Sequence, residues 1–150
     1  MPARMSRASK FPPAQLAKRL RKVSILHALP PAKLRSLAKW AEVAEFGKNE
    51  KIVRRGERGN GLFLILDGTV EVKRNGRRLA RLGRGQFFGE MSLFDNLPRS
   101  ADVVALGPSK LAVLSKLEFW GFAAGEPSVV LSVLEEMSHR LRAANNALAE

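Results

Sequence analysis

A chain of 150 residues with 45% hydrophobic and 27% charged side chains has the composition of one globular domain, large enough to build a core without crosslinks. It has no cysteine, which excludes a disulfide framework and thiolate metal sites. No apolar run approaches the roughly 18 residues needed to cross a bilayer, and no apolar stretch follows the basic amino-terminal residues, so neither a membrane span nor a secretory signal is expected and the expected location is cytoplasmic.

The net charge of +12 is unevenly spread. Residues 1–22 hold seven basic side chains (Arg4, Arg7, Lys10, Lys18, Arg19, Arg21 and Lys22) and no acid, which leaves +5 for the remainder. Residues 1–13 read as a flexible basic arm and residues 14–150 as the domain. Such an arm is either a solvated tail or a reach towards phosphate backbones or anionic lipid.

In chain order, Leu16, Leu20, Val23 and Ile25 suggest a short helix over 14–26, and Pro30-Pro31 starts a second with Leu34, Leu37 and Ala38 on its apolar face. From about 43 to 115 the pattern becomes β-type: runs at 43–46, 51–54, 62–66, 69–74, 78–82, 101–106 and 111–114, punctuated by glycine-rich turns. Asn75-Gly76 between two alternating runs is the strongest hairpin signal, because both residues tolerate positive φ. Helical spacing returns at 117–123, and Pro127 opens a long helix to about 147. The expected fold is mainly β with flanking helices: a jelly-roll β-roll with amino-terminal helices and a long carboxy-terminal helix.

Residues 88–101 hold the chemistry. Gly89-Glu90 leads into a single helical turn whose first N–H groups lack partners within the turn, an arrangement that attracts anions. Pro98 then fixes the backbone before Arg99 and Ser100. Arg99 would neutralise a phosphate through a forked pair, and Glu90 would accept from a sugar hydroxyl. Leu82, Met91 and Val103 would wall in a sugar and base. The same residues would equally well make a surface Glu–Arg ion pair of little consequence.

From about residue 23 to 147 the sequence resembles the cyclic nucleotide-binding domain family, which includes catabolite activator-type regulators and the regulatory subunits of protein kinase A. The stretch Phe88-Gly-Glu-Met-Ser-Leu-Phe-Asp-Asn-Leu-Pro-Arg-Ser-Ala-Asp-Val-Val-Ala105 looks like that family's phosphate-binding cassette. Gly56-Glu57, the run Phe63-Leu64-Ile65-Leu66-Asp67-Gly68 and Leu82-Gly83-Arg84-Gly85 support the match. The resemblance implies that Glu90 accepts from the ribose 2′-hydroxyl and Arg99 pairs with a cyclic phosphate oxygen. It implies that Gly89, Met91 and Ser92 shape the turn and offer N–H groups, and that Ser100 adds a phosphate contact. The resemblance implies a cyclic nucleotide ligand, with cAMP favoured over cGMP. Asn49 stands where the family often has glycine, and asparagine tolerates the left-handed backbone that such a turn needs.

The last helix has Val130, Leu134, Met137, Leu141, Ala144 and Leu148 on a heptad seam, with Leu131 and Val133 off it as candidates to cover the roll. In the catabolite activator-like branch the equivalent helix pairs two subunits and caps the base, which implies a homodimer and places Arg140 and Asn145 as candidate base-capping residues. No metal site is expected, since His27 and His139 lie on different helices. No catalytic constellation appears, and Gly83-x-Gly85-x-x-x-Gly89 reads as turn glycines rather than a dinucleotide fingerprint. No segment matches the helix-turn-helix of catabolite activator-like factors, so the expected role is a sensor acting on a separate protein effector. The alternative is a nucleic-acid-binding regulator that uses the basic arm.

Overall fold

The computed structural model describes residues 11–59 and 61–149. Helices α1 (Pro13–Leu20) and α2 (Pro31–Trp40) precede eight strands: β1 (Glu42–Phe46), β2 (Lys51–Val53), β3 (Gly61–Asp67), β4 (Thr69–Arg74), β5 (Arg77–Gly83), β6 (Phe87–Phe88), β7 (Asp102–Ala105) and β8 (Ser109–Ser115). A 3₁₀ turn, Glu90–Leu93, lies between β6 and β7, and α3 (Lys116–Ala123) and α4 (Pro127–Ala149) follow. The strands form two four-stranded sheets, ordered β1-β8-β3-β6 and β2-β7-β4-β5, in which every pairing is antiparallel.

Side-chain alternation along β3 explains why the roll has two cores. Leu62, Leu64 and Leu66 face the helices and pack with Leu20, Leu37, Phe119 and Val133. Phe63 and Ile65 point the other way, into the space between the sheets, with Ile52, Val70, Val103 and Leu111. A strand buried on both faces reads as a continuous apolar run. Each such side chain contributes about 1.5–3 kcal/mol by leaving water.

The local signals act as their chemistry predicts. Asn75 and Gly76 have φ of 54° and 76°, and Arg74 pairs with Arg77 across that turn. Asn49 adopts φ 70° between β1 and β2, and its N–H donates to the Ala105 carbonyl. Ser115 caps α3 reciprocally: its hydroxyl accepts from the Glu118 N–H at 3.0 Å, and its own N–H donates to the Glu118 carboxylate at 2.8 Å.

Three expectations need correction. The helix expected over 14–26 ends at Leu20. The next residues turn back because the Ser24 N–H bonds to the Gly85 carbonyl and Val23, Ile25 and Leu26 are buried against the roll. Strand β6 was not anticipated; its two residues pair with Leu64 and Phe63 of β3, too short a run for periodicity to register. On α4, Val129 and Val133 cover the roll, whereas Leu131 is 60% exposed. The heptad seam is split. Val130 and Met137 touch the chain's own core, and Leu134, Leu141 and Leu148 face outwards.

Of the residues read as an arm, 1–10 lie outside the described residues. Phe11 packs against the helical core with the Arg19 and Lys110 cations over its ring. Lys18 and Arg19 sit on α1, and Arg21 and Lys22 follow directly after it.

Candidate functional site

Gly89 sets the geometry of the site. Its φ is 86°, and a Cβ here would lie 2.7 Å from the Gly61 carbonyl oxygen and 2.8 Å from the Arg99 guanidinium, so only glycine lets β6 turn into the 3₁₀ turn. That turn buries Glu90 and Ser92 and leaves Met91 56% exposed. The Ser92 hydroxyl shares its one proton between the carbonyls of Gly89 at 2.9 Å and Gly61 at 3.3 Å, and its N–H donates to the Gly89 carbonyl. Ser92 is therefore a structural tie of the turn, and its N–H is already used, contrary to the expectation that it would be on offer.

Arg99 arrives from the other end of the segment. Its N–H is held by the Glu57 carbonyl at 2.8 Å, and its guanidinium donates to the carbonyls of Gly61 at 3.2 Å and Gly89 at 3.4 Å. The cation lies 5.6 Å from the centre of the Phe63 ring, which stacks on Phe88 at 4.9 Å. Nε is buried without a hydrogen-bond partner among the described residues. Burial draws the pKa of this guanidinium below its ordinary value, and the nearby Glu90 carboxylate opposes the shift. No carboxylate forms an ion pair with Arg99 among the described residues, so the group is a partly desolvated cation suited to an anion.

Glu90 pairs with Arg140 of α4, not with Arg99. The same guanidinium donates to the Phe87 carbonyl at 2.7 Å and to Glu136 at 3.0 Å, and it stands over the Phe87 ring at 4.6 Å. The surface Glu90–Arg99 pair considered from sequence is therefore not formed.

These groups line one cavity of about 520 Å³, within the range of small-molecule sites. Its apolar lining includes Val53, Val72, Leu82, Phe88, Ala101 and Val103, and Glu90, Ser92, Arg99, Ser100 and Arg140 are among its polar lining. Gly89 and Met91 also line it. Ser100 is exposed at the cavity. Asn145 is exposed on α4 and is not brought to the cavity; it lies five residues, about 7.5 Å of helical rise, beyond Arg140.

Sequence reasoning missed Gly59, where a Cβ would overlap the Arg99 side chain, and the Gly61 carbonyl that holds both Arg99 and Ser92. In sequence, Gly59 and Gly61 belong to one of the glycine-rich turn signals between the β-type runs. Their partners lie 30 to 40 residues away, so no local pattern could reveal the second role.

The family model described as "Cyclic nucleotide-binding domain" matches residues 43–126, which include all of the roll except Glu42 and the whole segment just described. The chain belongs to this family. Among relatives of the cyclic nucleotide-binding domain, the cAMP-dependent protein kinase regulatory subunit of Debaryomyces hansenii is 35% identical over 101 residues, covering 67% of this chain and 22% of that protein. The CRP-like cAMP-activated global transcriptional regulator of Mycobacterium tuberculosis is 26% identical over 136 residues, covering 87% of this chain and 61% of that protein. The chain thus spans less than two thirds of the length of these curated relatives. The Thermus thermophilus catabolite activator protein superposes with a TM-score of 0.76 at 29% identity, over 84% of this chain and 62% of that one. No described helix is long and apolar enough to cross a membrane.

Proposed function

We propose that this cyclic nucleotide-binding domain takes cAMP in the 520 Å³ cavity and acts as a cytoplasmic, ligand-responsive regulator of a separate protein, not as an enzyme. The observation that carries this reading is the convergence of buried Glu90 and the partly desolvated Arg99 on that one cavity. Arg99 meets the cyclic phosphate, with Ser100 and the N–H groups at Gly89–Met91 as further donors. Glu90 accepts from the ribose 2′-hydroxyl through an oxygen that Arg140 leaves available, since a carboxylate has acceptor capacity for several donors. Arg140 caps the ligand from α4, and Asn145 reaches the base from the partner helix of a dimer built on Leu134, Leu141 and Leu148.

cAMP is preferred to cGMP because both curated relatives above are named for it. The ligand shifts the protein only through its differential affinity for two arrangements. Because Arg140 joins α4 to Glu90, nucleotide and helix share one carboxylate, and occupancy is transmitted through α3 and α4.

Calorimetry with cAMP, cGMP and 5′-AMP tests the reading. The expected result is binding of cAMP, weaker binding of cGMP, and loss of both with Arg99→Ala. Absence of heat with either cyclic nucleotide at high micromolar concentration overturns it. Hydrogen exchange over residues 116–149 that does not change with ligand overturns the transmission step.

A further inference from the structure

Beyond the cavity, the charge of the folded domain is concentrated in one place. Strand β2 contributes Lys51, the β2–β3 connection contributes Arg54, Arg55 and Arg58, and the β4–β5 hairpin contributes Lys73, Arg74, Arg77, Arg78 and Arg81. Against these nine cations stand Glu57, Glu71 and Asp102. The excess of +6 is half of the chain's +12, residues 1–22 supply +7, and everything else sums to −1.

The two segments form one surface. Arg55 donates to the Asn75 side chain at the hairpin tip at 2.7 Å, and its N–H donates to Asp102 at 2.7 Å. A single carboxylate, Glu71, is shared by Lys73, Arg78 and Arg81 at 3.7–3.9 Å, so local neutralisation is incomplete. Arg54, Arg58, Arg74 and Arg77 are exposed and make no side-chain hydrogen bond or ion pair among the described residues. Alternation along the hairpin turns Val72, Ala80 and Leu82 into the nucleotide cavity and sets Lys73, Arg78 and Arg81 on the opposite face with Glu71, while Arg74 and Arg77 pair at the hairpin tip.

The chemistry of this surface selects its occupant. Leu79, 59% exposed, is the only exposed large apolar side chain on these two segments, so the surface lacks the apolar centre of a protein interface and the apolar face of a membrane-seated element. It offers no aromatic ring on which single-stranded bases could stack. Seven of the nine cations are arginines, whose planar forks suit phosphate oxygens. The six residues of β4 extend about 20 Å, a length over which a duplex presents about twelve phosphate charges.

We infer that the β4–β5 hairpin and the adjoining β2–β3 connection bind the phosphate backbone of double-stranded nucleic acid without reading its sequence. This site is composed of residues outside 1–22 and does not depend on which cyclic nucleotide fills the cavity.

The test is a fluorescence anisotropy titration of the full chain against a labelled 20-base-pair DNA duplex of arbitrary sequence, repeated at several salt concentrations. The triple variant Arg74→Ser, Arg77→Ser, Arg78→Ser is expected to lower the slope of log affinity against log salt by about 2–3 and to weaken binding at least about tenfold. Arg77→Ser alone, which breaks no side-chain hydrogen bond or ion pair among the described residues, is expected to lower the slope by about 1. Deleting residues 1–10 should leave the difference between wild type and variant intact. Equal slopes for wild type and both variants overturn the inference. So does binding to phosphatidylserine vesicles, or to polyglutamate of matched charge, that equals or exceeds binding to the duplex. A thermal melt confirms that the variants are folded.

Discussion

Replacing Arg140 with alanine removes, in one step, the cation paired with Glu90, the donors to the Phe87 carbonyl and Glu136, and the contact over the Phe87 ring. Glu90 is 8% exposed and makes no other side-chain hydrogen bond or ion pair among the described residues, so the substitution leaves a buried carboxylate with only the longer-range attraction of Arg99. Breaking a fully buried pair costs about 3–5 kcal/mol. The Arg140 side chain retains 29% exposure, and water reaching it reduces that to about 2–3 kcal/mol. For a chain of this size the loss corresponds to a fall of about 4–12 °C in the melting temperature.

The pairwise share comes from a cycle of wild type, Glu90→Gln, Arg140→Ala and the double variant, unfolded in urea without nucleotide. The expected coupling is about 1–2 kcal/mol, since residues in one charged network are not additive. If Arg140→Ala costs less than about 0.5 kcal/mol, or if the two changes add, α4 is not held to the cassette through Glu90 and the reasoning fails.

Three further outcomes follow from the same geometry. Gly89→Ala forces a side chain into a left-handed conformation, at about 1–2 kcal/mol, and against the Gly61 carbonyl. Urea unfolding should show at least that loss, with cAMP binding reduced more than by an alanine at Gly107, where a Cβ would meet nothing within 4 Å. The Asp67 pKa is depressed chiefly by its hydrogen bond from Arg84, and the Asp102 pKa chiefly by the Arg55 N–H. A depressed folded pKa means stability that is fully present above the ordinary carboxylate value of about 3.9 and is lost as pH falls through the folded value. The urea midpoint should therefore decline below about pH 4, and Arg84→Gln should make that decline shallower. Finally, Leu141→Glu places charge on the outward seam of α4, where the residue is 62% exposed. Sedimentation should show a dimer converted to monomer with the melting temperature nearly unchanged, and a monomeric wild type would remove the dimer from the proposal.

Local chemistry determined much of this protein from its sequence. Asn75-Gly76 and Asn49 tolerate positive φ, the Ser115–Glu118 capping box opens α3, and the continuous apolar run of β3 is buried on both faces; each is written in neighbouring residues. The cassette was legible for the same reason, because Gly89, Glu90, Arg99 and Ser100 lie within twelve positions of one another. Only the tertiary structure decided who partners whom. Glu90 met Arg140, 50 residues away, rather than Arg99, and Arg99 was tucked beneath Gly59 and bound to the Gly61 carbonyl. The helical pattern beyond Leu20 gave way to a bond with Gly85, the apolar stripe of α4 was divided between the core and solvent, and two arginine-bearing segments were joined through Arg55 and Asn75. Periodicity and propensity act over a few residues. Burial and ion pairing depend on which elements meet once the roll has closed, and that information is not local.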